Sequence, residues 1–274
     1  AQAALEAHWT LDENPLTPDV TTTADATGNW DGVYKDASFF GGEGDPISVT
    51  GHTGLPNTAV RFAENQFVVI EAPRDLDDPT HFGGIAAPLG DFMIEYWFQL
   101  HPGGGIEFSE NLQGASGPVL ILGGGTTTVQ FRALRWTDSV VDITPAGGLD
   151  IDQWYYIAGT YVPPEFDLDA NGDPMLDVNG DPIVAKLGSN HVYLYDGTTL
   201  YSNSSTRKYV YKPLSAPPND AIDRVRFPGN FAGFPAGNST YDEVKVFDQA
   251  FDPQSFLVQV LGIPEPTSLA VLGI

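Results

Sequence analysis

The sequence contains no cysteine and few basic residues, and each shortage excludes a class of function. Without cysteine there can be no disulfide framework, no thiolate zinc site and no cysteine nucleophile. Only 12 lysines and arginines stand against 36 aspartates and glutamates, which gives a net charge of −24. A protein of that charge is repelled by phosphate backbones, so we expect no nucleic-acid partner. The same charge is compatible with divalent cations and with a soluble extracellular protein.

The sequence also lacks the common catalytic motifs. The closest approach to a G-x-S-x-G nucleophile elbow, at 114–118, ends in proline, and no glycine cluster has the lysine or helix of a nucleotide-binding loop. Glu107 and Glu110 would point to opposite faces of a strand. Asp150 and Asp152 do alternate, but they lie at a turn. We therefore predict no catalytic residues and a protein that is not an enzyme, with a glycoside hydrolase as the distant alternative.

What the sequence does contain is a series of short strand patterns. Its 30 glycines and 22 prolines disfavour long helices and favour turns. Ten segments rich in β-branched and aromatic residues are strand candidates: 58–62, 67–71, 92–100, 118–122, 129–136, 154–161, 191–195, 207–212, 222–227 and 241–247. Many short strands with turns at this spacing predict an all-β fold, a two-sheet antiparallel β-sandwich.

One short helix is predicted after the strands. Asp252 can cap its N-terminus, Pro253 suits the first helical position, and Gly262 ends the segment, so the helix covers 253–261. No internal linker interrupts the strand pattern. The simplest prediction is a single domain over about 4–262.

Seven motifs in this region resemble, in order, the laminin-G-like, concanavalin-A-like jelly rolls of bacterial surface proteins. They are AHWTLDE at 7–13, DATGNWDG at 25–32, TAVRF at 58–62, DFMIEYWF at 91–98, WYYIAGTY at 154–161, VYLYDG at 192–197 and YDEVKVFDQA at 241–250. The resemblance extends over nearly the whole chain and rests on order and spacing. It implies a jelly-roll fold and leaves the function open.

Both ends of the chain suggest export. Residues 1–3 (Ala-Gln-Ala) have the small-residue pattern of a signal-peptide cleavage region. At the other end, the PEP tripeptide followed by TSLA and an apolar run, within 263–274, closely resembles the PEP-CTERM sorting signal of exported bacterial proteins. In that family a membrane-spanning helix and a basic cluster follow the tripeptide, and an exosortase-type enzyme processes it. The run here is shorter than the roughly 20 residues of a span, so a membrane connection would need a C-terminal continuation.

The apolar tail also suggests self-association. It could lie extended against a sheet edge of its own subunit or of a neighbour, and a neighbour-to-neighbour contact that does not close would give a filament. The residues assigned to this assembly tail are Pro264, Glu265, Pro266, Leu269, Val271, Leu272 and Ile274. We therefore predict a homo-oligomer or polymer outside the cell.

An acidic insertion at 163–188 is the strongest candidate for a metal site. It contains two copies of an Asp-x-Asn-Gly-Asp-Pro unit, and oxygen ligands at alternate positions beside a glycine turn are what calcium loops use. The candidate ligands are Asp167, Asp169, Asn171, Asp173, Asp177, Asn179 and Asp181. An EF-hand is excluded because Val178 occupies the position of the bidentate glutamate. The insertion is therefore either a looser calcium loop or an acidic β-ribbon with ordinary hairpin turns.

Three aromatic residues are candidates for glycan binding. Trp30 lies in a polar, glycine-containing loop, a composition that could stack on a sugar ring. Tyr193 and Tyr195 share one face of a predicted strand with His191. That face could bind a glycan or another protomer, or it could pack beneath the insertion.

These observations leave two functional hypotheses from different classes. The first is a non-catalytic, self-associating structural protein of the cell surface or extracellular matrix. The alternative is a glycan-binding adhesion module that attaches cells or matrix to an extracellular polysaccharide.

Overall fold

The computed structural model of the chain describes residues 5–13, 22–36, 46–56, 58–63, 66–73, 91–112, 115–123, 127–132, 140–207, 222–228 and 237–250. Within these ranges the ordered elements are β-strands, and none of them contains a helix long and apolar enough to cross a membrane. The predicted all-β antiparallel sandwich is confirmed. The predicted helix at 253–261 and the tail at 263–274 lie outside the described residues.

The described residues form eighteen strands. In chain order they are β1 (Leu5–Trp9), β2 (Thr22–Thr23), β3 (Gly32–Asp36), β4 (Ile47–Val49), β5 (Ala59–Phe62), β6 (Gln66–Pro73), β7 (Phe92–Leu100), β8 (Glu107–Leu112), β9 (Ala115–Gly123), β10 (Thr128–Arg132), β11 (Val141–Ile143), β12 (Trp154–Val162), β13 (Glu165–Phe166), β14 (Val184–Lys186), β15 (Gly188–Tyr195), β16 (Leu200–Arg207), β17 (Ile222–Phe227) and β18 (Ser239–Phe247).

The strands form two eight-stranded antiparallel sheets and a two-stranded ribbon. Sheet A has the order β16-β15-β12-β7-β18-β5-β4, and β1 pairs with the far end of β18 on the same side as β5. Sheet B has the order β11-β10-β9-β8-β17-β6-β3-β2. Strands β13 and β14 pair with each other within the acidic insertion.

One large core fills the space between the two sheets. From β7, the central strand of sheet A, it receives every second side chain: Phe92, Ile94, Tyr96, Phe98 and Leu100. From sheet B it receives Val68, Ile70, Phe108, Leu120, Val129, Phe131, Val225 and Phe227. This is the period of two that a strand imposes on its side chains. Each fully buried side chain of this size contributes about 1.5–3 kcal/mol, so the core is the main source of stability.

The other side chains of β7 point away from the core, onto what we call the outer face of sheet A. A second, smaller cluster is buried on this face: Met93, Tyr156, Ala158 and Tyr193, with Trp97, Tyr195, Leu200 and Phe247 partly buried against it. Sheet A is therefore apolar on both faces over part of its area. The remaining part of the outer face is polar and forms the groove described below.

The sequence-based strand predictions agree with the structure at most positions. The predicted strands at 92–100 and 222–227 have the same bounds as β7 and β17. The predicted strand at 207–212 overlaps β16 only at Arg207, the last residue of β16. Residues 208–212 lie outside the described ranges. Strand β16 was not predicted because its sequence, LYSNSSTR, is rich in serine and has few β-branched residues.

Candidate functional site

A groove of about 460 Å³ opens at one end of the outer face of sheet A. It is lined by Val49, Thr50, Arg61, Gln99, His101, Trp154 and Thr240. Four of these side chains come from adjacent strands and stand in one row. In the strand register Gln99 faces Trp154 on one side and Thr240 on the other, and Thr240 faces Arg61. Since neighbouring strands are about 4.8 Å apart, the row from Trp154 to Arg61 spans roughly 14 Å.

An aromatic wall bounds the groove at the Trp154 end. His52 lies edge-on to Trp154 at 6.3 Å and stacks on Trp97, with ring centroids 4.3 Å apart and an angle of 7° between the planes. The buried carboxylate of Asp242 holds His52 in this position. It bonds the ring Nδ1 at 2.6 Å and accepts the backbone N–H of His52 at 3.0 Å. Trp154 therefore packs against a fixed His52 ring while its own side chain remains partly exposed.

Two residues that line the groove, His101 and Thr240, form a series of carboxylate, imidazole and hydroxyl together with Asp152, which is not part of the lining. His101 Nδ1 lies 2.6 Å from Asp152 Oδ1, and His101 Nε2 lies 2.8 Å from Thr240 Oγ1. With the proton on Nδ1, the imidazole donates to Asp152 and accepts from the Thr240 hydroxyl, the order of groups found in nucleophilic hydrolases. The Thr240 side chain is only 1% exposed, however. We interpret the series as a support that ties β7 and β18 to the turn at Asp152, where φ is +63°.

A deeper polar cluster on the same face does not reach the groove. The Tyr156 hydroxyl donates to Glu95, and Lys245 Nζ lies 4.0 Å from Glu95 and 2.8 Å from Glu243. His8 Nε2 is 2.6 Å from Glu243. Burial raises the pKa of Glu95 to about 7, whereas the hydrogen bond from His8 lowers the pKa of Glu243 to about 2. Two carboxyls with divergent pKa values can serve as acid and base in glycoside hydrolysis, but Glu95 is 2% exposed and neither of the two lines the groove.

The acidic insertion forms two successive turns of the same construction. In the first, the Asp169 carboxylate accepts the backbone N–H of Asn171 at 2.8 Å and of Asp173 at 3.0 Å. Asp177 makes the same bonds with the N–H groups of Asn179 and Asp181 in the second. These hydrogen bonds lower the pKa of Asp169 and Asp177. Hydrogen bonds of this kind define Asx turns. They agree with the sequence-based interpretation of the insertion as an acidic β-ribbon with ordinary hairpin turns.

Calcium binding by the insertion stays a prediction. Residues 167–182 are all exposed, and within the described ranges no three His, Cys, Asp or Glu side chains converge as metal ligands. If the ribbon does bind calcium in the folded state alone, the thermal unfolding temperature should rise between chelator and millimolar calcium. Superimposable unfolding curves under the two conditions would contradict the prediction.

Of the three aromatic residues predicted to bind glycan, Tyr193 and Tyr195 lie in one cluster on the outer face of sheet A, whereas Trp30 lies apart from them. Trp30 is packed against the main core, and its carbonyl accepts the indole N–H of Trp9 at 2.7 Å. Tyr193 is 1% exposed, so its ring face is not presented to solvent as the prediction required. Tyr195 is partly exposed and donates its hydroxyl to the carbonyl of Gly197 at 2.8 Å. None of the three lines the groove.

Sequence reasoning missed the residues that do line the groove. The sequence marks Trp154 only as the first residue of the predicted strand 154–161, and Arg61 and Gln99 belong to no binding motif. A signal was present in the alternation of β7, which places Gln99 on the face opposite Phe98 and Leu100. Alternation alone does not tell which outward positions of different strands stand side by side. The assembly-tail residues between 264 and 274 lie outside the described residues, so self-association stays a prediction.

Comparisons with known proteins support the fold of the chain but do not assign it to a family. No family model matches the chain, and no curated protein is detectably similar to it. Among solved structures it resembles botulinum neurotoxin type C, described as depending on two ganglioside molecules to enter cells, with 10% identity and a TM-score of 0.50 over 96% of this chain and 51% of that one. The binding domain of botulinum neurotoxin serotype D gives 8% identity and a TM-score of 0.50 over 94% and 50% of the two chains.

A third similar structure is domain 4 of AbnA, a GH43 extracellular arabinanase from Geobacillus stearothermophilus, in complex with arabinotriose. It shows 13% identity and a TM-score of 0.48 over 92% of this chain and 96% of that one. The chain spans about half the length of the neurotoxin chains. At these identities the similarity to the neurotoxins shows a shared β-sandwich fold and leaves the ligand of this chain to its own residues.

Proposed function

We propose that the protein is a non-catalytic glycan-binding module that acts outside the cell, and that the groove beside Trp154 is its binding site. The observation that carries the proposal is the row formed by Trp154, Gln99, Thr240 and Arg61. It sets a partly exposed indole beside polar groups on one rigid sheet face. Ligand sites commonly combine an apolar wall with a few well-placed polar groups in this way.

The groove offers complementary chemistry to a sugar ring. The apolar face of a pyranose or furanose can lie on the indole of Trp154, because both surfaces are flat and non-polar. Gln99 donates its amide N–H to the carbonyl of Asp152 at 2.5 Å, which fixes the amide plane and leaves its oxygen to accept from a ligand hydroxyl. The Thr50 side chain is exposed at the rim and can exchange hydrogen bonds with a second hydroxyl.

The arrangement of ionisable groups favours binding over catalysis. Glu95 and Glu243, the two carboxyls whose pKa values of about 7 and about 2 diverge, are outside the groove. Within the groove, Thr240 is buried. Both ring nitrogens of His101 are engaged, Nδ1 by Asp152 and Nε2 by Thr240. One similar structure belongs to a toxin described as interacting with gangliosides, which supports a glycan as the class of ligand. The resemblance of residues 263–274 to a PEP-CTERM sorting signal supports a role outside the cell.

Replacing Trp154 with alanine should weaken glycan binding about 30-fold. The expected loss follows from the roughly 2 kcal/mol that a central aromatic contact contributes to an interface. The measurement is a screen of the purified full chain on an oligosaccharide array, followed by isothermal titration with the best oligosaccharide. The variant must retain the far-UV circular dichroism spectrum of the wild type.

Tyr195→Ala is the matched control. Tyr195 is an aromatic residue on the same face of sheet A and is partly exposed, but it lies outside the groove. We expect this variant to bind as the wild type does. If Tyr195→Ala loses binding and Trp154→Ala keeps it, the groove is not the site and the sequence-based prediction for Tyr195 is favoured. If the folded wild-type chain binds no oligosaccharide on the array, the proposed function fails.

A further inference from the structure

Among the described residues, the guanidinium of Arg61 has no carboxylate partner, and it lies at the far end of the groove. Arg61 is exposed on β5, in the same row as Gln99 and Trp154. It makes no hydrogen bond and no ion pair with any residue that the structure describes. The chain has 36 acidic residues, yet none of those that the structure describes forms an ion pair with Arg61. Its position instead leaves the positive charge available to whatever occupies the groove.

The other cations of sheet A and the ribbon illustrate the contrast. Lys186 Nζ lies 2.7 Å from Glu165, and Lys245 Nζ lies 2.8 Å from Glu243. On sheet B the guanidinium of Arg226 lies 3.5 Å above the ring of Phe67. Each of these charges is matched by a carboxylate or a ring face. Like Arg61, Lys35 on β3 has no ion pair among the described residues, so what distinguishes Arg61 is its position in the groove.

The charges around the groove also give the ligand a direction. Asp152, two residues before Trp154, has a side chain that is 64% exposed even though its Oδ1 lies 2.6 Å from His101 Nδ1, and its charge disfavours an anion close to it. Asp242, two residues beyond Thr240 on β18, has its carboxylate engaged by His52. The favourable place for a negative group is therefore the Arg61 end, roughly 14 Å from Trp154 across the strands. An arginine fork is well suited to a planar carboxylate, which can accept two parallel hydrogen bonds.

We infer, on the basis of the proposed glycan-binding function, that the groove selects acidic oligosaccharides, with one sugar ring on Trp154 and the carboxylate of a residue further along the same oligosaccharide on Arg61. The net charge of −24 argues for acidic sugars of low charge density, because a heavily sulfated polymer would be repelled by the rest of the surface. The ligand class is therefore a uronic acid or another sugar acid with one carboxylate per residue.

The test compares acidic sugars with neutral sugars of the same skeleton. Oligomers of galacturonate, glucuronate, mannuronate and guluronate, and sialyllactose, are each titrated beside their carboxyl-reduced counterparts, with dextran sulfate as a dense polyanion. We expect the wild-type chain to bind the acid of at least one pair about tenfold or more tightly than its reduced form, as a charge-assisted hydrogen bond would give. Arg61→Gln should abolish this preference, and Arg61→Lys should retain part of it.

Lys35→Gln is the matched control for loss of charge. Lys35 is an exposed cation on β3 of sheet B, away from the groove. It should leave the acid preference unchanged. Equal binding of acid and reduced forms, or equal weakening by Arg61→Gln and Lys35→Gln, would overturn the inference. So would binding of dextran sulfate in preference to every uronide.

The outcomes also separate this inference from the proposed function. If neutral and acidic sugars bind equally and Trp154→Ala weakens both, the groove binds glycans but the carboxylate selection is wrong. If Trp154→Ala weakens neither, the groove is not the glycan site and both proposals fail.

Discussion

The wild-type protein is expected to lose free energy of unfolding as Glu95 ionises, and a Glu95→Gln variant should not show this loss above about pH 7. Glu95 is 2% exposed at the centre of sheet A, and burial raises its pKa from 4.5 to about 7. The folded state therefore binds this proton more tightly than the unfolded state does. The contribution is fully present below about pH 4.5 and is lost as the pH rises through about 7. A shift of that size corresponds to about 3 kcal/mol at high pH.

Urea unfolding at a series of pH values between about 5 and 8 measures this effect. The free energy of unfolding of the wild type should fall more steeply with pH than that of Glu95→Gln. Glu243 does not confuse the result, because its pKa of about 2 makes its own contribution constant above about pH 5. Glu165→Gln is the control, since Glu165 is exposed and paired with Lys186 on the surface ribbon. Parallel pH profiles for wild type and Glu95→Gln would contradict the prediction.

Gly159→Ala should lower the free energy of unfolding by about 2–3 kcal/mol, because the two sheets touch at this position. A Cβ on Gly159 would lie 2.3 Å from Cδ2 of the Phe131 ring, which comes from the opposite sheet. The ring cannot easily move away, since Phe131 is fully buried and packs edge-on against Phe92 at 6.3 Å. The measurement is urea denaturation at fixed pH, with the change read from the midpoint.

Two further variants make the effect specific. Gly105→Ala adds the same methyl group where nothing lies within 4 Å, so its stability should change by less than about 0.5 kcal/mol. Phe131→Leu shortens the side chain that Gly159→Ala would strike. The double variant should be more stable than the sum of the two single changes predicts, because the two sites are in contact. Additive effects would show that the contact between Gly159 and Phe131 is not the cause.

The amino-acid sequence by itself determined the fold class and most of the strands. Strand β7 was predicted with its observed bounds because its sequence, FMIEYWFQL, is rich in aromatic residues and contains a β-branched one. The Asn-Gly-Asp-Pro units predicted the turns of the insertion, again from local sequence. Gly172 and Gly180 adopt φ near +85°, which glycine reaches without strain. These features depend on a few neighbouring residues, so a linear pattern is enough to reveal them.

Only the tertiary structure decided which side chains form the groove and which are covered. Arg61, Gln99, Trp154 and Thr240 are far apart in the chain and meet because four strands pair in one register, a long-range result of sheet order. Tyr193 and Trp154 both occupy outward positions of their strands. Tyr193 is nevertheless buried in the outer cluster, whereas Trp154 remains partly exposed. Burial of an outward face depends on what packs over it, and the period of a strand carries no information about that.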